Sequence, residues 1–191
     1  MRKALASALS VFILAACTLS DTRIYSLYMP AGKTEAAPKS ELAVSLLVHS
    51  PKYLSQPYIA SRNSPYQIEI ARNSKWDAPP DNIIREAFRG SLTSTGLFKG
   101  IRTSQAIPGG AHALRINLKK FERSYTADVP YGEISLEAEF TSPDNRKLFA
   151  SVIEKRVKLE DRSFLSLAKG LSSALSEAVA EVRTGIIKAL Q

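Results

Sequence analysis

A regular alternation of apolar and polar side chains in residues 131–141 constrains the fold of this chain more than any other feature. The apolar set is Ile134, Leu136, Ala138 and Phe140, and the polar set is Glu133, Ser135, Glu137 and Glu139. A period of two places the two sets on opposite faces of a β-strand. We therefore predict a strand with its apolar face buried, which requires a second layer of structure to cover that face.

Other segments are also predicted to be strands. They are residues 42–48, 58–62, 66–72, 98–103, 112–125 and 148–159. The first of them is a continuous apolar run bounded by prolines, which is typical of a strand buried on both faces. In residues 66–72, Ile68 and Ile70 alternate with polar residues, so we expect one face of that strand to be buried.

Two further segments have helical periodicity. The first, residues 83–97, follows Pro79-Pro80-Asp81; we expect the Asp81 carboxylate to accept hydrogen bonds from free amides at its N-terminus, and Gly96 to end it. The second extends from about residue 163 to 190 and has an apolar stripe broad enough to pack against a sheet. A narrow coiled-coil seam for a partner helix is the alternative that the same stripe leaves open.

The first residues of the chain have the pattern of a secretory signal. A short basic start precedes an apolar run, residues 4–16, whose helical length of roughly 20 Å is less than the ~30 Å hydrocarbon core of a membrane. The run ends in Leu-Ala-Ala-Cys, residues 14–17, which resembles the lipobox of bacterial lipoproteins, and Cys17 is the only cysteine of the chain. We predict cleavage before Cys17 and lipidation of its thiol. The alternative is an unmodified, buried thiol near a cleaved N-terminus.

This N-terminus predicts a location and a domain organisation. Thr18 follows the cysteine, whereas an aspartate there is the usual signal for retention in the inner membrane. By analogy, we expect a lipid anchor in the outer membrane and a domain that faces the periplasm, out of reach of nucleic acids. The predicted organisation is a signal peptide at 1–16, a lipidated N-terminus and tether at 17–40, and one domain at 41–191.

The composition excludes several classes of protein. The chain has 191 residues, a length typical of one domain, and a net charge of +8 from basic residues that are scattered along it. A single cysteine excludes a disulfide framework and a C-x-x-C redox or zinc site. His49 and His112, the only histidines, have no metal-ligand spacing around them, and there is no G-x-S-x-G motif. We therefore predict no catalytic residues, no metal and no cofactor.

The glutamates of residues 133–139 resemble a set of catalytic carboxylates only superficially. At a spacing of two they share one exposed face of a strand. We expect them to pair across the sheet with basic side chains of the neighbouring strand. The expected partners are Arg115, Lys119 and Arg123.

Several landmarks follow one another in a distinctive order after the lipidation motif. They are Tyr25-Ser26-Leu27-Tyr28, the apolar run 42–48, Pro51-Lys52-Tyr53-Leu54, the segment 56–62, Tyr66, and Trp76 before a proline. A helix, a β-hairpin region and a C-terminal helix rich in alanine, leucine and serine complete the order. The arrangement resembles the ABC-type transport auxiliary lipoproteins, typified by the paraquat-inducible lipoprotein of enterobacteria, over essentially the whole mature chain.

The resemblance implies both a fold and a role. The fold is a single α/β domain with a mixed β-sheet packed by helices, similar to anticodon-binding-like or TolB amino-terminal domains. The role is that of a non-catalytic accessory subunit beside MCE-domain (mammalian-cell-entry) proteins and an ABC permease and ATPase, which move phospholipid or other lipids between two membranes. Phospholipid and a second copy of the chain are further candidate partners. The alternative is a lipid-binding carrier or a general envelope-assembly lipoprotein that acts without a transporter.

Four aromatic residues are candidates for contact with a partner or with lipid. They are Trp76, Tyr53, Tyr58 and Tyr66. They lie near one another in sequence, and aromatic residues are enriched at the centres of protein interfaces. The alternative for Trp76 is that its ring caps the hydrophobic core before the first helix.

Overall fold

The computed structural model describes residues 21–29, 42–103 and 109–191. These residues form strands, two α-helices and one 3-10 helix (Lys52–Ser55). The strands are β1 (Arg23–Tyr25), β2 (Ala43–His49), β3 (Tyr58–Ser64), β4 (Gln67–Trp76), β5 (Gly100–Thr103), β6 (His112–Thr126), β7 (Val129–Thr141) and β8 (Lys147–Lys158). The α-helices are α1 (Pro80–Ser94) and α2 (Phe164–Ala189).

The strands form one mixed sheet centred on the long strand β6. On one edge of β6 lie β7 and then β8, both antiparallel to their neighbours. On the other edge, β2 pairs with the first part of β6 and β3 with the last part, both in parallel. Beyond them, β5 is parallel to β2, β4 is antiparallel to β3, and β1 is parallel to β4. The predicted α/β class with a mixed sheet packed by helices is confirmed.

Both described helices cover the same face of this sheet. Helix α2 contacts β7, β8 and α1, and α1 contacts β2 and β5. The apolar side chains predicted to point inward from β7 are buried, as are Leu114, Ile116 and Leu118 of β6. The broad stripe of α2 packs on them, so core packing is confirmed over a coiled-coil seam. The stripe includes Leu167, Leu171, Leu175, Ala178, Val182 and Ile186.

A β-bulge in β6 changes which of its side chains face the helices. Leu118 pairs with Leu136, but the next partner, Ser135, is opposite Lys120. Lys119 is therefore an extra residue in the ladder, and the alternation of side chains shifts by one. As a result Leu118 and Phe121 are both fully buried under the helices. Up to Leu118 the even-numbered side chains of β6 face the helices, and beyond the bulge the odd-numbered ones do.

The N-terminal segment belongs to the folded domain. Residues 23–25 form β1 along the edge of β4. The Tyr25 ring packs edge-on against Phe164, with the ring centres 5.8 Å apart, and the Tyr28 amide donates a hydrogen bond of 3.0 Å to Ser172 Oγ on α2. The predicted tether at residues 17–40 thus contains a strand of the sheet. Residues 24–28 have the residue types of a strand, but Pro30 and Gly32 follow closely, so the sequence assigned this segment to the tether.

Two local expectations are corrected by the structure. Ile68 and Ile70 lie on the sheet face that no described helix covers, and Ile70 is exposed rather than buried. Helix α1 begins at Pro80, with Pro79 as the N-cap residue and no capping side chain. Asp81 therefore lies inside the first turn, where its charge favours the helix dipole without capping the helix. Gly96 follows the end of α1 with a φ of 66°, as expected for a C-terminal glycine.

Candidate interaction surfaces

The four aromatic candidates do not form one patch. Trp76 is 1% exposed and packs edge-on against Phe121, with ring centres 5.6 Å apart, so its ring belongs to the core. Tyr53 is half-buried, whereas Tyr58 and Tyr66 are exposed. Tyr58 begins β3 and Tyr66 lies in the turn after it, roughly 20 Å away along the strand. Contact with a partner or lipid through these residues stays a prediction, and Tyr66, at 96% exposure, is the most accessible of them.

Tyr53 instead belongs to a buried polar cluster that the sequence did not suggest. The Glu122 carboxylate has no solvent exposure. It accepts hydrogen bonds from Arg62 Nε at 2.5 Å and Arg62 Nη2 at 3.3 Å, and from the Tyr53 hydroxyl at 3.2 Å. Burial and the adjacent Glu122 charge raise the pKa of Tyr53 to about 12, and the hydrogen bond to Glu122 raises the pKa of Arg62. The phenol therefore stays protonated and the guanidinium charged.

This cluster joins the 3-10 helix, β3 and β6 at the centre of the sheet. Both oxygens of the Glu122 carboxylate accept hydrogen bonds. The cluster therefore stabilises the structure and does not present a free acid or base. The sequence feature that could have located this cluster is the charge of Glu122 directly after the apolar Phe121. It lies in the stretch where the bulge shifts the alternation of apolar and polar side chains along β6. Without the bulge, the pattern assigns Glu122 to the covered face and Arg123 to the exposed one.

The sheet face opposite the helices carries a ladder of ion pairs. Glu137 pairs with Lys119 at 3.3 Å, Glu133 with Lys120 at 2.9 Å, and Glu139 with Arg115 at 3.6 Å. Lys147 of β8 also reaches Glu139, at 3.1 Å. The prediction of a paired, exposed glutamate face is thus confirmed for Arg115 and Lys119.

The predicted pairing of Arg123 with a glutamate of this face was wrong. Because of the bulge, Arg123 lies on the helix side, where Nη1 donates to the Arg162 carbonyl at 2.5 Å and the guanidinium lies 4.9 Å from the centre of the Phe164 ring. Lys120 takes its place beside Glu133. Partial burial alone would raise the pKa of Glu133. The hydrogen bond and the charge of Lys120, together with the Ser124 hydroxyl, outweigh it, so the pKa is lowered. A shallow recess of about 510 Å³ lies on the open face between His49 and Val152.

A second recess lies between α2 and the edge strand β8. It has a volume of about 710 Å³ and an apolar floor that includes Leu148, Phe149 and Ala180, with Glu181 and Lys188 at its rim. Gly185 shapes the groove, because a Cβ at this position would overlap the Phe149 ring. Glu181, one of the lining residues, pairs with Lys155 of β8 at 3.0 Å. We call this recess the α2–β8 groove.

The histidines and acidic residues of the described ranges form no group of three that could hold a metal ion. His112 is buried and stacks on Phe140, with ring centres 5.3 Å apart, and burial lowers its pKa. His49 lies exposed at the end of β2. Neither α1 nor α2 has the length and apolarity needed to cross a membrane. Cys17, the predicted lipidation site, is outside the described residues.

Comparison with known proteins identifies the family of the chain. Residues 25–183 match the model of the ABC-type transport auxiliary lipoprotein component. The chain belongs to this family. The match covers every described element except the first residues of β1 and the end of α2, and it confirms the predicted resemblance. The family is an auxiliary component of transport, which agrees with the prediction of a non-catalytic role.

Solved structures share the fold. The chain resembles protein XCC0632 from Xanthomonas campestris with a TM-score of 0.71 and 17% identity, over 83% of this chain and 91% of that one. For a second, uncharacterized protein the TM-score is 0.68 and the identity is 18%, over 87% of this chain and 99% of that one. For the hypothetical protein CT253 from Chlamydia trachomatis the TM-score is 0.52 and the identity is 8%, over 77% of this chain and 96% of that one. No curated protein is significantly similar to the chain in sequence.

Proposed function

We propose that this protein is a lipid-anchored accessory subunit that holds an MCE-domain protein of an ABC-type lipid-transport system at the outer membrane. The observation that carries the proposal is the family match over residues 25–183. The lipobox-like motif before Cys17 and the threonine after it support anchorage in the outer membrane. Phospholipid moved between the two membranes is the proposed cargo of the system.

The packing of the domain supports an adaptor over a lipid carrier. A carrier needs an apolar cavity large enough for acyl chains. Here the space between the helices and the sheet is filled by one continuous cluster of buried side chains, including Phe88, Phe121 and Phe140. The two recesses described above are instead open to solvent. An adaptor requires this combination of a solid core and an accessible surface.

The α2–β8 groove is the proposed contact with the partner. Its apolar floor, rimmed by the charges of Glu181 and Lys188, has the composition of a protein interface with an apolar centre and a polar border. It is also built on two long, regular elements, so it is presented rigidly. The carrier function remains the second candidate, and it would place phospholipid in the same groove.

The anchor is tested by substitution of Cys17. In cells fed radioactive palmitate, Cys17→Ala is expected to give an unlabelled, uncleaved precursor, because the thiol that receives the lipid is lost. Thr18→Ala serves as the control and is expected to be labelled and recovered with the outer membrane. Thr18→Asp is expected to move the labelled protein to the inner membrane. Palmitate labelling of Cys17→Ala would refute the anchor.

The partner is tested by capture of the MCE-domain protein with the full-length lipoprotein in detergent. Thr184→Arg fills the groove and is expected to reduce capture at least tenfold. Thr93→Arg on α1 is a matched control, because both threonines are exposed and donate to the carbonyl four residues earlier. Equal capture by both variants would refute the groove as the contact. Stoichiometric phospholipid on the purified protein, with no capture of the partner, would favour the carrier.

A further inference from the structure

The strand directions bring several loops together at one end of the domain. Strands β3 and β6 are parallel, so the turns that follow them, at Pro65–Tyr66 and at Ala127–Asp128, leave the sheet at the same end. Strand β8 also finishes there, since Lys158 pairs with Tyr131 near the start of β7. The loop from β8 to α2, residues 159–163, completes the group. We call these two turns and this loop the hairpin end.

The chain enters β1 from this end. Strand β4 runs away from the Pro65–Tyr66 turn, and β1 is parallel to it, with Arg23 opposite Ser74. Asp21 and Thr22, which precede β1, are therefore on the side of the hairpin end. Six peptide units separate Cys17 from Arg23, so their Cα atoms are at most about 22 Å apart. That reach is close to the length of β4 between Ser74 and the turn, roughly 23 Å.

The hairpin end is rich in tyrosine and arginine. Tyr66 projects from its turn with 96% of its surface exposed. On the open face, the Arg156 guanidinium lies 3.8 Å from the centre of the Tyr131 ring. On the helix face, Arg123 and Arg162 lie 5.5 and 5.6 Å from the centre of the Tyr125 ring. Leu165, in the first turn of α2, is also exposed.

These residue types suit the headgroup layer of a bilayer. Tyrosine is enriched at membrane interfaces because its ring is apolar and its hydroxyl is polar. Arginine presents a planar set of donors that fits phosphate oxygens and stacks on aromatic rings. Acidic residues also occur at this end, but Asp128 lies 3.6 Å from Arg162 Nη2, and Asp161 accepts a hydrogen bond of 2.7 Å from the Ser163 amide. Their charges are thus partly satisfied within the protein.

We propose that the hairpin end rests on the phospholipid headgroups of the membrane that holds the lipid anchor, with the Tyr66 turn in the headgroup layer. This inference rests on the proposed lipidation of Cys17, because the short chain before β1 then keeps the hairpin end at the bilayer. The other end of the domain, at the β7–β8 turn, points away from the membrane. The α2–β8 groove lies towards that far end and stays accessible to a partner.

The test measures the depth of single residues in the membrane. Lipidation consumes the Cys17 thiol, so Tyr66→Cys introduces the only free thiol of the mature lipoprotein. It is labelled with an environment-sensitive nitrobenzoxadiazole dye and reconstituted into vesicles of three parts phosphatidylethanolamine and one part phosphatidylglycerol. Arg146→Cys, in the exposed β7–β8 turn at the far end, is the matched control.

The expected result is a dye emission at position 66 that rises at least twofold on reconstitution and is quenched by headgroup spin-labelled lipid. The dye at position 146 is expected to stay in an aqueous environment. Flotation of the vesicles separates two kinds of failure. Protein that floats but gives the same signal at both positions retains its anchor and overturns the contact. Protein that does not float overturns the anchor and the contact together. A response at 66 only after an MCE-domain protein is added would assign this end to the protein partner and overturn the contact.

Discussion

The buried cluster of Glu122 gives the sharpest test of what stabilises the centre of the sheet. Arg62→Met keeps most of the volume of the arginine stem and removes both guanidinium hydrogen bonds. The Glu122 carboxylate, with no solvent exposure, then keeps only the Tyr53 hydroxyl as a donor. A buried charge without its counter-charge is costly, because water cannot replace the lost partner.

The magnitude follows from the burial of the pair. Breaking a buried ion pair by removing one partner costs about 3–5 kcal/mol. The Arg62 side chain is 23% exposed, which places the expected loss at about 3 kcal/mol, near the lower limit. With a urea dependence of about 2 kcal/mol per molar, the midpoint of unfolding falls by roughly 1.5 M. The double variant Arg62→Met/Glu122→Leu is expected to recover about 2 kcal/mol of this loss, because no buried charge remains.

The assay is urea unfolding at neutral pH, followed by tryptophan fluorescence. Trp76 is the only tryptophan and packs on Phe121, the neighbour of Glu122, so it reports on this part of the core. Arg89→Met is the matched control, because Arg89 and Glu86 are 2.5 Å apart on α1 but about half exposed. Its expected cost is below about 0.5 kcal/mol. Equal losses for the two arginine variants, or no recovery in the double variant, would refute the reasoning.

Two further predictions concern α2 and His112. Gly185→Ala is expected to destabilise the domain by about 1–3 kcal/mol in thermal unfolding, because the new methyl group overlaps the Phe149 ring. Gly90→Ala on α1, whose Cβ meets nothing within 4 Å, is expected to stabilise by up to about 1 kcal/mol, and an equal effect at both sites would contradict the steric argument. Burial lowers the pKa of His112 below 6.5, so between that value and the folded-state pKa the unfolded chain binds more protons. The contribution of neutral His112 to the free energy of unfolding should therefore be fully present above about pH 6.5 and should decrease as the pH falls below that value. In urea titrations, His112→Phe should reduce the loss of stability between pH 7.5 and 5.5.

Much of the fold could be predicted from local patterns. The strands of residues 112–125, 131–141 and 148–159 and the C-terminal helix were located within a few residues of their observed bounds. Their periodicity is carried by many residues, so a single irregularity does not mask it. The buried strand β2 was identified instead from its continuous apolar run between prolines. The polar, exposed character of the Glu137 and Glu139 face followed from the same alternation.

The candidate surfaces were much less predictable. The local sign of the bulge at Lys119 is limited to the broken alternation at Phe121 and Glu122, yet the bulge decides that Arg123 points to α2 and that Glu122 meets Arg62, which is 60 residues away. The aromatic residues close in sequence were separated in space, because Trp76 turned into the core while Tyr66 stayed in a turn. Neither outcome depends on residue type alone.

The sequence by itself determined most of the strands and both α-helices, the family resemblance and the lipobox-like pattern that ends at Cys17, because each depends on a short or periodic pattern of side chains. Only the tertiary structure decided which face of the sheet the helices cover, how the Glu122 charge is neutralised, and that residues 23–25 complete the sheet. These features arise from contacts between residues far apart in the chain, where burial sets the energy of each contact. The direction of β1 is the clearest case, because the pairing of only three residues with β4 sets the end of the domain from which the chain enters the sheet.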